Sequence, residues 1–223
     1  MFRHLHWASH PLPKHSTILP NEEKWPIIIF SHGLGGHGET YTQIVLDLAS
    51  FGYVVVCPEH QDRSSSYAKT FQGHVLTYQR PPDIPYLQPE VSEFRQTFLT
   101  QRVNEIRNLI TNLKECKHNN QSELVIHILN NINISQLCIA GHSFGAATAI
   151  KVAQSYKNEH PSNTIPIISG LWLLDIWSTC LDSEVLNKGV QDIPICSVLS
   201  EQFAQGNICI HISCNTFDIA EHI

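Results

Sequence analysis

Gly141-His142-Ser143-Phe144-Gly145 is the stretch whose residue types and spacing could do chemistry. A serine between two glycines, on a turn leaving a strand and entering a helix, presents its hydroxyl as a nucleophile at the edge of a sheet. The flanking sequence supplies that context. Leu137-Cys138-Ile139-Ala140 is a short apolar run that reads as a buried strand, and from Ala146 on apolar residues recur at helical spacing. The glycines let the turn pass close to its neighbours, and the helix start aims N–H groups and a positive dipole end at charge developing during attack. Ser143 is therefore expected to be a nucleophile. An acyl-transfer site also needs donors for the oxyanion: the backbone N–H of Phe144, the next residue, is one, and a second is expected on another glycine turn.

Ser31-His32-Gly33-Leu34-Gly35-Gly36 provides that turn directly after the β-branched run Pro26-Ile27-Ile28-Ile29-Phe30. The backbone N–H of Leu34 is the expected second donor. GxxxxGK[ST] does not occur here, so a phosphate-binding loop of that kind is not expected. His32 is expected to support the loop. Asp175 ends the run Ile165–Leu174 about thirty residues after the serine, the place of the acid in a Ser, Asp, His chain order, where it would orient a histidine and stabilise its cation. Only His211 and His222 follow it. His211 stands mid-strand between isoleucines and is expected to face a sheet; His222 is the candidate base, although chain ends are often frayed.

The elements that must position these groups alternate along the chain. Buried runs at 27–30, 53–57, 137–140 and 165–174 alternate with helical stretches, which predicts an α/β fold with a mostly parallel sheet and helices on both faces. Helices are expected from Thr40 to Phe51, stopping at Gly52; through Val91, Phe94, Phe98, Val103, Ile106, Leu109, Ile110 and Leu113, with one longer gap; and over 122–131, with Ser122 as N-cap. Strands are expected at 193–199 and 207–213. Charged residues in Pro58-Glu59-His60-Gln61-Asp62-Arg63 are expected to form an ion-pair and hydrogen-bond network holding that loop. Residues 64–90 hold Pro81, Pro82, Pro85 and Pro89, too many breakers for regular structure, and are expected to form a lid-like loop of apolar character. Residues 1–25 read as an irregular lead-in, 206–223 as an atypical tail, and the whole as one domain.

Composition narrows the class. The chain has 223 residues, 42% of them hydrophobic, enough for one buried core. Its formal charge of −6, with 14 Lys and Arg unclustered, gives no footprint for nucleic acid. No apolar run reaches the roughly 20 residues of a membrane-spanning helix. Seven cysteines without CxxC spacing favour a reducing, cytoplasmic compartment; secretion is the expectation if the true start lies upstream. No cofactor is implied, and no metal, since the histidine-rich start lacks partners at ligand spacing.

Five separated blocks carry a resemblance. Phe30-Ser31-His32-Gly33-Leu34-Gly35, Asp47-Leu48-Ala49-Ser50, Glu59-His60-Gln61-Asp62-Arg63-Ser64, Gly141 to Thr148 and Leu174-Asp175-Ile176-Trp177 resemble, in this order, the platelet-activating factor acetylhydrolases of the plasma and type II intracellular kind. The resemblance spans about residues 25 to 200. It implies an α/β-hydrolase acting as a calcium-independent serine lipase, which removes acetyl or short oxidised acyl chains from the sn-2 position of phospholipids. It places the nucleophile on Ser143, the acid on Asp175 and the oxyanion donors on Leu34 and Phe144. The partners it implies are the phospholipid substrate and a transient membrane or lipoprotein surface. The chain departs from the family in having Gln61 where arginine is general, and in lacking the family's leading strands and its base-bearing His-x-x-Phe segment, so it reads as truncated at both ends. Without that segment the chain is expected to be a poor or inactive catalyst. The alternatives to the hydrolase are a non-catalytic lipid-binding pseudo-hydrolase and a general carboxylesterase.

Overall fold

In β1 (Trp25–Ser31), side chains alternate across the strand and so define two apolar layers. Ile27 and Ile29 face one layer and Ile28 and Phe30 the other, all four at 2% exposure or less. A strand buried on both faces belongs at the centre of a parallel sheet, and β1 lies between two parallel neighbours. The computed structural model describes residues 24–70, 72–81, 89–115, 123–159, 168–190, 192–201 and 203.

The main sheet runs β2 (Val54–Val56), β1, β5 (Ile132–His142), β6 (Ile168–Leu174), β7 (Ile195–Val198), and every pair in it is parallel. From β1 the chain steps outward to β2, then returns past β1 to build β5, β6 and β7 on the other side. The strand order therefore reverses between β1 and β5, and the crevice beyond their carboxyl ends is where open α/β sheets bind ligands. Gly33 follows β1 and Ser143 follows β5 at that crevice.

Helices cover both faces. The long α2 (Pro89–Glu115) and α4 (Phe144–Glu159) pack on the Ile27/Ile29 side together with Leu137, Ile139, Leu171 and Leu173. The cluster takes in α3 (Glu123–Asn131) through Val125 and Leu129, and α5 (Ser183–Lys188) through Val185. On the opposite face α1 (Thr42–Ser50) lays Leu48 against Ile28, Phe30 and Ala140, and it stops at Gly52, whose φ is +91°.

Two expectations need correction. Residues 64–90 are not devoid of regular structure: β3 (Tyr67–Lys69) and β4 (Val75–Thr77) pair antiparallel around a turn at Gly73, φ +87°. The prolines cluster at 81–89, whereas 67–77 carries Tyr67, Val75, Leu76 and Thr77, which suit a pleated strand. The longer gap foreseen along α2 is filled by Leu99 and Arg102, both buried, so the stripe is continuous with a cation in it. Ser122, the strand foreseen at 207–213 and the tail from 206 lie outside the described residues.

Two glycines permit the elbow. A Cβ on Gly145 would sit 2.0 Å from the Ser31 carbonyl oxygen, and one on Gly141 would sit 2.3 Å from that of Gly145. Both obstacles are backbone, which cannot swing aside. At Gly170 an added Cβ would meet only Cys138 Sγ at 3.4 Å and the Pro194 carbonyl oxygen at 3.7 Å. Gly145→Ala is expected to prevent native folding, read as loss of a cooperative thermal transition, while Gly170→Ala stays within about 1 kcal/mol of the parent. A cooperative Gly145→Ala protein of parental stability would show that β1 and α4 are not packed this closely.

Candidate active site

Ser143 occupies the turn between β5 and α4 with φ +54°, left-handed backbone in a residue other than glycine. Such a conformation persists only where neighbours impose it. Here the Ser143 N–H donates to the Leu174 carbonyl at 2.9 Å, and its own carbonyl accepts the Trp177 N–H at 3.2 Å. Phe144 is the first residue of α4, so its N–H has no acceptor within the helix. Asp175 follows β6, also left-handed at φ +45°; its N–H donates to the Val198 carbonyl at 2.9 Å, and its Oδ1 accepts the Ser200 N–H at 2.5 Å. The structure thus brings Ser143, Phe144 and Asp175 to adjacent strand ends. Leu34 lies in the turn after β1, which is tied down by Gly35 N–H to the Ser64 carbonyl at 2.8 Å and Gly36 N–H to the Gly33 carbonyl at 3.2 Å. His211 and His222 lie outside the described residues.

Beside these sit two residues the sequence did not single out. His142 places Nε2 3.9 Å from Asp175 Oδ2, and its Nδ1 lies 2.8 Å from the Tyr41 hydroxyl. That hydroxyl also accepts the Gly33 N–H at 3.1 Å. Burial, partly offset by Asp175, lowers the His142 pKa and keeps the ring neutral at pH 7. Only the distance in space could reveal this set, since Tyr41 is 101 residues from its partner.

Underneath the turns lies a buried polar layer. Arg102 Nε donates to Asp62 Oδ2 at 2.9 Å, Nη1 donates to the His32 carbonyl at 2.6 Å, and Nη2 donates to Ser64 Oγ. Its guanidinium also lies 4.7 Å from the Phe144 ring centroid. The expectation for residues 58–63 is met through these contacts. Gln61 takes part through its backbone N–H, which donates to Glu105 Oε1 at 3.2 Å, a bond that does not depend on the side chain at that position. His32 donates from Nδ1 to the Gly33 carbonyl at 2.8 Å, the loop-supporting place expected of it.

The same layer contains a second serine, histidine and acid in contact: Ser31 Oγ lies 2.9 Å from His60 Nε2, and His60 Nδ1 lies 2.7 Å from Glu105 Oε2. Ser31 and His60 are fully buried. Burial and the nearby Arg102 charge hold the His60 pKa well below 6.5, so Nδ1–H donates to the carboxylate and the serine hydroxyl to Nε2. No substrate can reach a serine of zero exposure, so this set braces the fold.

Among the described residues no group of three or more His, Cys, Asp or Glu side chains could hold a metal ion. Nor is any helix among them long and apolar enough to cross a membrane.

The sequence profile of the family described as platelet-activating factor acetylhydrolase, isoform II matches residues 4–213. The chain belongs to this family. The acetylhydrolase of Bos taurus is 29% identical over 193 residues, and that of Cavia porcellus 33% identical over 206. These alignments take in 81% and 87% of the chain but 41% and 44% of the relatives, so the chain spans rather less than half the length of the acetylhydrolases it matches. Among solved structures, a ferulic acid esterase from Streptomyces cinnamoneus superposes with a TM-score of 0.52 at 18% identity, over 80% of this chain and 43% of that one, which places the fold among the α/β-hydrolases.

The acetylhydrolase fold seen here rests its turns on one buried ion pair, and its loss has a computable scale. Asp62→Asn leaves the Arg102 charge without its counter-ion and is expected to cost about 3 to 5 kcal/mol in urea denaturation, much of it recovered by adding Arg102→Met. A loss under 1 kcal/mol for the single variant would mean that water reaches the pair.

Burial is also the main reason the His32 pKa lies well below 6.5, as for His60. Below about pH 6.5 the unfolded chain binds protons that native His32 and His60 refuse, so stability falls as the pH drops through that value. Glu59 and Glu105, whose pKa values burial raises, oppose this with one proton each but are displaced less. The urea midpoint at pH 5.5 is expected to lie below that at pH 7.5; an equal or higher midpoint would mean that the histidines are charged in the native state.

Proposed function

We propose that this chain carries the nucleophile, acid and oxyanion donors of a serine ester hydrolase acting on platelet-activating factor and related phospholipids with an acetyl or short acyl group at sn-2. The observation that carries this reading is the left-handed Ser143 at the strand-to-helix turn, bonded on both sides to the segment that bears Asp175. A hydroxyl raised on such a turn faces the crevice where the strand order reverses, and the first N–H of α4 stands next to it. Membership of the acetylhydrolase family supplies the substrate class.

In the proposed reaction Ser143 Oγ attacks the sn-2 ester carbonyl while a histidine removes its proton. The N–H groups of Phe144 and Leu34 receive the oxyanion. Collapse releases the lysophospholipid, which takes the proton back from the histidine, and water then hydrolyses the acyl-serine by the same route. Asp175 orients the histidine and stabilises its cation. His142 does not fit the base, because a base needs one nitrogen on the acid and the other on the serine, and here the second is engaged by Tyr41. The candidate base that the sequence offers is His222.

Substrate held in lipid aggregates has to be met at a surface, and Tyr67 and Val75 on the β3–β4 hairpin, about half exposed, suit contact with a membrane or lipoprotein. Four free cysteines among the described residues are in keeping with a cytoplasmic setting.

Ser143→Ala is expected to abolish both labelling by a fluorophosphonate and hydrolysis of an acetyl-sn-2 phospholipid. Asp175→Asn is expected to lower kcat on the order of 10⁴-fold, and His222→Ala to similar residual activity. A parent chain that binds the phospholipid but never labels would support a lipid-binding role instead. Full activity in His222→Ala would move the base elsewhere, and equal rates on acetyl and long-chain substrates would favour a general carboxylesterase.

A further inference from the structure

Tyr41 has no role in the reaction as proposed, yet its hydroxyl touches both turns of the site. Gly33, whose N–H it accepts, immediately precedes Leu34; His142, whose Nδ1 it meets, immediately precedes Ser143. We propose that the Tyr41 hydroxyl is a positioning group, which locks neutral His142 with its hydrogen on Nε2, facing Asp175, and thereby holds the turn after β1 against the nucleophile turn. Its consequence for catalysis rests on the hydrolase reading; the lock itself does not.

The donor count fixes the direction of each bond. A phenol has one hydrogen and two lone pairs, and the Gly33 N–H takes one lone pair. Burial raises the Tyr41 pKa, so the phenol keeps its hydrogen, and His142 Nδ1 at 2.8 Å is the acceptor that the geometry offers. A neutral imidazole that accepts at Nδ1 carries its hydrogen on Nε2, and Nε2 faces the Asp175 carboxylate at 3.9 Å. The opposite tautomer would turn a lone pair toward that carboxylate and leave the phenol hydrogen without an acceptor. Both ends of the ring therefore select the same tautomer.

Packing makes the arrangement tight. A Cβ on Gly33 would lie 3.1 Å from His142 Nδ1 and 3.2 Å from the Tyr41 hydroxyl oxygen, so the three groups are in mutual contact. The Tyr41 ring is held separately, against Phe30 at a centroid distance of 4.9 Å and His142 at 5.6 Å. Tyr41→Phe consequently deletes the hydrogen bonds while keeping the ring contacts.

The decisive measurement is the tautomer of His142 in the full 223-residue chain, read at pH 7.5 from long-range proton–nitrogen correlations and assigned through its backbone resonances. The expected parent spectrum has an unprotonated Nδ1 and a protonated Nε2. Tyr41→Phe is expected to lose that single tautomer and to speed Gly33 amide exchange at least tenfold. A parent ring protonated at Nδ1, or an unchanged ring and amide in Tyr41→Phe, overturns the lock. Fluorophosphonate labelling of Ser143 then tests positioning: Tyr41→Phe is expected to label about ten- to a hundredfold more slowly, and labelling at the parental rate overturns it. A parent that never labels but shows the expected tautomer, lost in Tyr41→Phe, supports the lock and refutes the hydrolase reading instead.

Discussion

The guanidinium of Arg102 is a charge with no exposure to water, set into the apolar stripe of the longest helix. Taking such a group out of water costs several kcal/mol, and the cost is offset only where the site returns the lost hydrogen bonds and a counter-charge. Asp62 supplies the counter-charge, and Ser64 and the His32 carbonyl supply acceptors. Each belongs to a loop leaving the carboxyl end of a strand, and the flat face of the cation meets the Phe144 ring. One side chain therefore fixes the turn after β1, the loop after β2 and the first residue of α4. Guanidinium geometry is what allows this, because its donors point outward in one plane while both faces stay free to stack.

Ser31 and Ser143 each lie near a histidine and an acid, and their contrast bears on how a site is recognised. Ser31, His60 and Glu105 have the shorter contacts, at 2.9 and 2.7 Å, but the serine and the histidine are fully buried. Ser143 has the looser surroundings and the better position, on a left-handed turn at the point where the strand order reverses. Contact geometry satisfies buried polar groups as readily as it prepares a nucleophile. Access and strand-end placement separate the two, and both follow from topology.

The central strands and the elbow were legible in the sequence because their signals are local. β-branched runs mark β1 and β2, and the glycines at 141 and 145 announce a turn without room for side chains. Ends were less so: the helix expected from Thr40 begins at Thr42, with Tyr41 left free ahead of it to reach Gly33 and His142. Along α2 the periodicity broke at Arg102 because a hydrophobic count scores a cation as surface, whereas a paired arginine can fill a core position. The β3–β4 hairpin was hidden by prolines that belong to the residues after it. Tyr41 and His142 gave no signal, since a hydrogen bond between residues 101 apart leaves no spacing to read.

Backbone strain ties these observations together. Ser143 and Asp175 both hold left-handed φ values, at a cost of about 1 to 3 kcal/mol each. Neither is paid locally, because the bonds that hold them run between strand ends: Ser143 to Leu174 and Trp177, Asp175 to Val198 and Ser200. Each strained residue is therefore clamped by the end of the next strand and the residues just after it, and the elbow cannot relax without disturbing β6 and β7. Such a chain of clamps makes the position of Ser143 a property of the whole sheet edge. The two elbow glycines in turn face backbone obstacles, Gly145 against the end of β1 and Gly141 against the start of α4. A turn held by three strand ends has no slack in which a methyl group could be accommodated.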